Sequence, residues 1–240
     1  MKRAKFRDLK AHARILLDGQ YTLLALVTFI LLMAQSLLNS VIDYVFPVYT
    51  ATTSGLLYFA CSLLSNILYV ILLAGAYRIY LNYVRGIPIQ KNDLFFAFSN
   101  YPEHAAVYAL VHFVISFSFS ETLDWFLAGL KDPSRKFPIP VYILVFLLIS
   151  LIALWLFLTF SMTLYLYCDA PWKKAPELLK ESNRLMSGNR FRFLLLNLSF
   201  IGLELLAALS FGIGLLFVEP YVNMTFALFY KNLIQEDTVS

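Results

Sequence analysis

The chain has 240 residues, of which 60% are hydrophobic and only 14% are charged. A soluble domain usually carries about 25% charged residues, so this composition excludes an ordinary soluble protein and favours the membrane class. The apolar runs are continuous rather than alternating, as in ALVTFILLMA and VYILVFLLISLIALWLFLTF. This pattern excludes the strands of a β-barrel and predicts an all-α, polytopic membrane protein with a single integral membrane domain over residues 1–240.

The first 170 residues contain four apolar runs that are long enough to cross a bilayer, which takes about 20 residues. Polar residues precede the first run, which lacks a cleavage site for a signal peptidase, so we expect it to be retained as a span. The four predicted spans cover about residues 21–45, 55–84, 103–130 and 139–167.

A fifth apolar run extends from Phe191 to Tyr230. As one helix it would be about 60 Å long, twice the thickness of the hydrocarbon core. Gly212 and Gly214 permit a tight reversal, which predicts a fifth span over 191–209 and a sixth over about 214–233. Pro220 lies inside the sixth span and is expected to kink it.

The six spans form three hairpins, each preceded by a short segment with apolar residues at helical spacing. These segments are 6–16, 94–98 and 178–186, and we expect each to be an amphipathic helix at the cytoplasmic surface of the membrane. The corresponding units are 1–84, 85–168 and 169–234, followed by a polar tail over 235–240. Three pseudo-symmetric repeats are one interpretation, and unrelated helices between spans are the other.

The basic residues fall almost entirely on one side of the six predicted spans. Of the 19 Lys and Arg residues, only Lys131, Arg135 and Lys136 lie on the other side. The positive-inside rule therefore predicts a cell-membrane protein with both termini in the cytoplasm. Anionic lipid headgroups are the expected partners of the basic residues around the third amphipathic segment. These residues are Lys173, Lys174, Lys180, Arg184, Arg190 and Arg192.

Several motifs in the last third of the chain are shared with a known family. They are Asp169-x-Pro171, ELLKESNRLMSGNRFRF, LSFIG, GIG, Pro220-Tyr221 and Phe229-Tyr230. With the N-terminal LKAHARILLDGQY, they resemble the bacterial integral-membrane family catalogued as domain of unknown function 975. The resemblance implies a multi-pass protein of a Firmicutes plasma membrane, and it implies no activity because the family has none assigned.

Two acidic residues, Glu204 and Glu219, lie about equally far from the predicted reversal. At matching depth in the membrane they could share a proton or hold a cation, since two close carboxylates cannot both stay ionised cheaply. The alternative is that each is simply protonated, or hydrogen-bonded to Asn197, Asn223 or a tyrosine.

His112 lies near the middle of the third span, on a stripe with His104 and Tyr108. A histidine at this depth can relay protons or bind a ligand. The alternative is a histidine that is hydrogen-bonded to a serine or to a backbone carbonyl.

The sequence contains no HExxH, GxSxG or phosphate-binding loop, and the two cysteines form no metal-type or disulfide-type pattern. We therefore predict no catalytic residues, no metal site, no cofactor and no nucleic-acid partner. Three functions remain. The first is a non-enzymatic envelope or transport-associated role, which the protein would carry out alone, as a homo-oligomer or with membrane-protein partners. The others are a small proton- or cation-coupled transporter and an enzyme acting on lipid near Asp169.

Overall fold

A computed structural model describes residues 5–46, 53–90, 92–131 and 137–237. Within these residues the fold is all-α and contains no β-strand. They form one 3₁₀ turn, Asp93–Phe95, and eleven α-helices. The helices are α1 (Phe6–Leu17), α2 (Tyr21–Val45), α3 (Thr53–Arg85), α4 (Phe96–Ser99), α5 (Pro102–Lys131), α6 (Ile139–Phe160), α7 (Thr163–Asp169), α8 (Ala175–Met186), α9 (Arg190–Leu198), α10 (Ile201–Leu209) and α11 (Leu215–Asp237).

Five helical segments among the described residues are long and apolar enough to cross a membrane, which is the pattern of a multi-pass membrane protein. The sixth predicted span, α11, is 23 residues long but is less apolar. It carries Glu219, Lys231 and Glu236 among other polar residues. The five segments are Tyr21–Val45, Gly55–Arg85, Pro102–Lys131, Ile139–Asp169 and Arg190–Leu209.

The first two predicted hairpins are antiparallel helix pairs. At one end of the α2–α3 pair the Phe46 and Tyr58 rings lie 6.0 Å apart, and at the other the Tyr83 hydroxyl donates a 2.8 Å hydrogen bond to Gln20. We call the end of the bundle where α2 meets α3 and α5 meets α6 the loop end. We call the opposite end, which holds residues 86–90, 92–101 and 170–190, the basic end.

The third hairpin answers the question raised by the run from Phe191 to Tyr230. Phe193 packs on Phe229 at 5.3 Å, and Phe200 packs on Tyr221 at 5.3 Å. This succession of contacts shows that α9 and α10 run antiparallel to α11, so the prediction of a reversal is confirmed.

The two glycines support this reversal in different ways. Gly212 has a φ of +82°, which an L side chain rarely adopts. A Cβ on Gly214 would lie 2.7 Å from the Cα of Ala207, so a side chain there would force the two helices apart. Phe211, at the tip, is 99% exposed.

The fourth and fifth predicted spans coincide with two of the five apolar segments, Ile139–Asp169 and Arg190–Leu209, but each contains a short break in its helix. The fourth is interrupted by a turn at Ser161 and Met162, and the fifth is interrupted at Ser199 and Phe200. Serine hydroxyls compete for backbone carbonyls at both breaks: the Ser161 hydroxyl, for example, donates to the Leu158 carbonyl at 3.0 Å. At the second break the Lys10 ammonium donates to the Ser199 carbonyl at 3.0 Å, so α1 supports the end of α9.

The three segments expected to be amphipathic helices differ from one another. Helix α1 buries Leu9, Ala13 and Leu17, and most of its contacts are with α11. Helix α8 buries one face that includes Leu178 and Leu185. The second segment is only the 3₁₀ turn followed by the four-residue α4, because the break at Ser99 and Asn100 leaves no room for a longer helix.

The buried core is concentrated at the basic end. In α2 the buried residues are Leu24, Val27 and Thr28, all in the first third of the helix. In α3 they begin at Ser65 and become dense from Val70 to Val84. Helices α7 and α11 supply most of the remaining core, so the basic end is packed as a globular interior.

Candidate functional site

A polar cavity of about 440 Å³ lies between α2, α3 and α5 near the loop end. Ten of its thirteen lining residues are polar, although all three helices belong to the apolar segments that could cross a membrane. Polar side chains in such segments usually face a cavity or a partner rather than lipid, because lipid offers them no hydrogen bonds. The lining residues are Gln35, Asn39, Ile42, Asp43, Tyr58, Ser62, Ser65, Asn66, Tyr69, Phe113, Ser116, Phe117 and Ser120.

Helical spacing explains how the sequence builds this cavity. Gln35, Asn39 and Asp43 lie four residues apart on α2, so they share one face. Residues 58, 62, 65, 66 and 69 form the matching stripe on α3, and 113, 116, 117 and 120 form it on α5. Serine dominates the α3 and α5 stripes, and such short side chains leave space between the helices.

His112 does not line this cavity, but it contacts Asn66, which does. Its Nδ1 is 3.2 Å from the side-chain nitrogen of Asn66. His112 lines a second cavity of about 120 Å³ between α5 and α6, which shares Ser116 with the first. Asn66 lines the first cavity and His112 lines the second, so the pair lies between them, and the partner of the ring is the Asn66 amide rather than a serine or a backbone carbonyl.

Glu204 and Glu219 lie near one another across the third hairpin, as predicted from their distance to the reversal. Their carboxyls are close enough for the two charges to interact. Glu219 is half-buried, and its carboxylate accepts a 3.3 Å hydrogen bond from Asn223. Asn197 instead donates to the Phe193 carbonyl, at 2.8 Å, within its own helix.

Glu219 also interacts with tyrosines of α3. Tyr69, Tyr77 and Tyr80 all lie near its charge. Tyr69 lines the polar cavity, so Glu219 lies behind one residue of the cavity wall. Neither glutamate lines the cavity itself. Glu219 therefore interacts electrostatically with one residue of the cavity wall, Tyr69.

Asp169, the residue on which an enzymatic role would depend, is engaged by other parts of the chain. Arg85 forms an ion pair with it at 2.7 Å, and the Tyr230 hydroxyl donates to it at 2.7 Å. One residue earlier, the Cys168 carbonyl accepts a 2.7 Å hydrogen bond from Arg78. These contacts join α3, α7 and α11, so Asp169 stabilises the fold at the basic end.

Four of the six basic residues expected to contact headgroups have partners within the protein. Lys173 pairs with Glu181 at 2.7 Å, and Arg184 pairs with Asp237 at 2.9 Å. Arg192 bonds Asn232 at 2.9 Å, and Arg190 lies 5.0 Å from the centre of the Trp155 ring. Lys174 and Lys180 are exposed. Most of this basic patch therefore contributes to tertiary structure.

Helix α1 brings two more basic side chains onto the third hairpin. The Lys10 ammonium lies 3.9 Å from the centre of the Phe200 ring, and Arg14 donates to the Tyr221 hydroxyl at 3.2 Å. Burial, and secondarily the neighbouring charge of Arg14, lowers the pKa of Lys10 from its ordinary value. Within the described ranges no group of three His, Cys, Asp or Glu side chains is placed to hold a metal ion.

Comparison with protein families gives one decisive match. The family described as "Protein of unknown function (DUF975)" matches residues 1–237. The chain belongs to this family. Comparison with curated proteins and with solved structures gave no significant match. Membership of DUF975 confirms the resemblance seen in the motifs of the last third, and it assigns no activity.

The sequence alone identified some of these residues but did not show that they form a site. In the sequence, Gln35, Asn39 and Asp43 are polar residues inside the first span, a pattern that ordinarily indicates packing against other spans. The serines of α3 and α5 give no signal of their own, because serine is common in membrane helices. The signal that could have found the cavity is the matching four-residue spacing of polar side chains on three neighbouring helices.

Proposed function

We propose that this DUF975 protein is a non-enzymatic, transport-associated protein of the cell membrane that admits a small polar solute into the α2–α3–α5 cavity. The observation that supports this proposal is the cavity itself, with ten polar lining residues inside apolar helices. A volume of about 440 Å³ lies within the usual range for small-molecule sites.

The proposed topology places both termini in the cytoplasm and the loop end outside. The antiparallel third hairpin returns the chain to the side from which it entered, whether or not α11 crosses the whole bilayer. This gives an even number of crossings, and the distribution of the basic residues then selects the cytoplasmic side. In this topology the exposed Lys174 and Lys180 are available to anionic headgroups.

Cysteine labelling tests whether the cavity contains water and on which side it opens. In a Cys61→Ala background, Ser62→Cys would place a thiol in the cavity, and the buried Cys168 would stay unreactive until the protein is denatured. We expect a small, membrane-impermeant methanethiosulfonate added outside intact cells to label Ser62→Cys.

Leu64→Cys is the matched control, because Leu64 lies two residues away on an apolar face and is 61% exposed. It should not react, since a thiol surrounded by lipid is neither hydrated nor ionised. Equal labelling of both variants would contradict the proposal. Labelling only from the cytoplasmic side, or a C-terminal tag detected outside intact cells, would contradict the topology.

A proton-coupled transporter is the second candidate, and the position of Glu219 behind Tyr69 favours it. In proteoliposomes with a pH gradient, Glu219→Gln combined with Glu204→Gln should abolish gradient-driven solute uptake while solute binding persists. Glu121→Gln is the control, because Glu121 is exposed at the loop end and outside the cavity lining. Gradient-driven uptake by the double variant would remove this candidate.

A further inference from the structure

We infer that the solute bound in the α2–α3–α5 cavity is a small organic ammonium ion. This inference rests on the proposed function, because the same cavity must be open to water. The charge of the lining is the first argument. Among the lining residues that the structure describes, Asp43 is the one that carries a charge, and none is Lys or Arg. Asp43 is exposed, and a cleft whose only charge is a carboxylate attracts a cation and repels an anion.

The aromatic residues of the lining are the second argument. Tyr58, Phe113 and Phe117 contribute three rings to the cavity. The Phe113 and Phe117 rings stack at 5.2 Å, and Phe59 packs edge-on against both at 5.3 and 5.4 Å, which holds them in place. Aromatic faces attract ammonium groups, and this attraction is strongest for alkylated ammonium ions that lose little hydration on binding.

The remaining lining distinguishes an organic cation from a metal ion. The other polar groups are neutral amides and hydroxyls, and the described residues hold no cluster of three metal-type side chains. Ca²⁺ requires six to eight oxygen ligands at close range, whereas a cavity of about 440 Å³ accommodates an entire small molecule. The buried Oδ1 of Asn66 has no hydrogen-bond partner in the structure, so it can accept a bond from a hydroxyl or N–H of the solute.

Choline and its uncharged isostere 3,3-dimethyl-1-butanol test the inference on the wild-type protein. The two molecules have the same shape, and only choline carries the positive charge. With the full chain in lipid nanodiscs, we expect saturable binding of choline and of tetramethylammonium, at least about tenfold tighter than binding of the isostere. Equal affinity for choline and the isostere, or no saturable binding of either ammonium ion, would overturn the inference.

Variants identify the residues that bind the cation. Asp43→Asn should lower the affinity for choline by at least about tenfold, and Phe117→Leu should lower it by about threefold or more. Asp124→Asn is the control, because this exposed carboxylate on α5 lies outside the cavity lining. Unchanged choline binding by Asp43→Asn would overturn the inference even if binding to the wild-type protein is saturable.

The labelling experiment separates failure of this inference from failure of the proposed function. If Ser62→Cys is labelled and choline does not bind, the cavity is open and its solute is not an ammonium ion. If Ser62→Cys is not labelled, the cavity is closed to water, and both proposals are wrong.

Discussion

At the basic end α3 is enclosed by α7, α11 and the 3₁₀ turn, whereas nearer the loop end the same helix faces a cavity. The enclosed part carries close-packed aromatic residues: Tyr77 stacks on Tyr165 at 4.5 Å, and Tyr165 stacks on Tyr230 at 5.3 Å. Nearer the loop end, α3 carries serines and an asparagine on its inner face. One helix therefore belongs to a close-packed region, which we call the anchor, at one end and to the wall of the cavity at the other.

This difference suggests a division of roles within the bundle. Contacts at the basic end are numerous and mutually dependent, so substitutions there should mainly lower stability. The helices that line the cavity at the loop end are not closely packed there, so substitutions of lining residues should mainly change binding. The predictions below compare the two regions, beginning with the largest expected effect.

Glycine-to-alanine substitutions compare the packing of the two regions directly. A Cβ on Gly75, in the enclosed part of α3, would lie 1.8 Å from the backbone oxygen of Leu94, so the backbone itself would have to move. We expect Gly75→Ala to lower the free energy of unfolding by about 3 kcal/mol. For a Cβ on Gly129, at the loop end, the three nearest atoms all belong to the Tyr142 ring, the closest at 2.1 Å, and a side chain can shift more easily than a backbone. Gly129→Ala should therefore cost less, about 1 kcal/mol.

Gly202 provides the control for helix propensity, because a Cβ there would have nothing within 4 Å. Gly202→Ala should leave stability unchanged or raise it by up to about 1 kcal/mol. SDS-induced or thermal unfolding of the purified proteins measures the stability of the three variants. A larger loss of stability for Gly129→Ala than for Gly75→Ala would contradict the assignment of the close-packed region to the basic end.

Substitutions at the Asp169 ion pair are the second test of whether the basic end determines stability. Asp169→Ala should lower the free energy of unfolding by about 2 kcal/mol, because Arg85 would lose its partner in a partly buried position. Tyr230→Phe removes one hydrogen bond and should cost about 1 kcal/mol. Choline affinity measured on folded protein should be unchanged in both variants. A loss of binding without a loss of stability would indicate that Asp169 acts on the solute.

A substitution that fills the cavity should lower choline affinity and leave stability almost unchanged, the opposite of the result expected for Asp169→Ala. Ser116→Leu places a larger apolar side chain at a position that lines both the polar cavity and its neighbour. We expect it to abolish choline binding while changing stability by no more than about 0.5 kcal/mol. Ser118→Leu, two residues away and outside the lining, should leave binding intact. Retained choline binding by Ser116→Leu would place the solute elsewhere.

The smallest expected effect concerns the attachment of α1. Because burial and Arg14 lower the pKa of Lys10, the unfolded chain binds this proton more tightly than the folded protein does. Stability should therefore rise with pH through the interval between the folded pKa and the ordinary value of 10.5. In Lys10→Met the free energy of unfolding, measured between pH 8 and 11, should rise less with pH than it does in the wild-type protein. An identical pH dependence of the two proteins would contradict this prediction.

The fold could be predicted from the sequence wherever length and apolar content decide it. The helical class, the first four spans and the reversal at Gly212 follow from the thickness of a bilayer and from the conformational freedom of glycine. The breaks at Ser161 and Ser199 could not be predicted, because a serine hydroxyl interrupts a helix only where tertiary contacts such as that of Lys10 support the free carbonyl.

The site was less accessible to sequence reasoning. The proximity of Glu204 and Glu219 followed from counting residues to the turn. The cavity depends on which faces of α2, α3 and α5 meet, and a single sequence does not give the rotation of one helix against another. The basic residues near Lys173 were expected at headgroups, but acidic residues far along the chain, such as Asp237, pair with some of them.

A density map of the protein in lipid nanodiscs, obtained by electron cryomicroscopy with a bound antibody fragment, tests the central claim most directly. The account predicts ordered water or solute density between Gln35, Ser62 and Ser116, together with continuous protein density around Tyr165 at the basic end. Acyl-chain density threaded between α2 and α5, or direct contact of these helices without a gap, would contradict it.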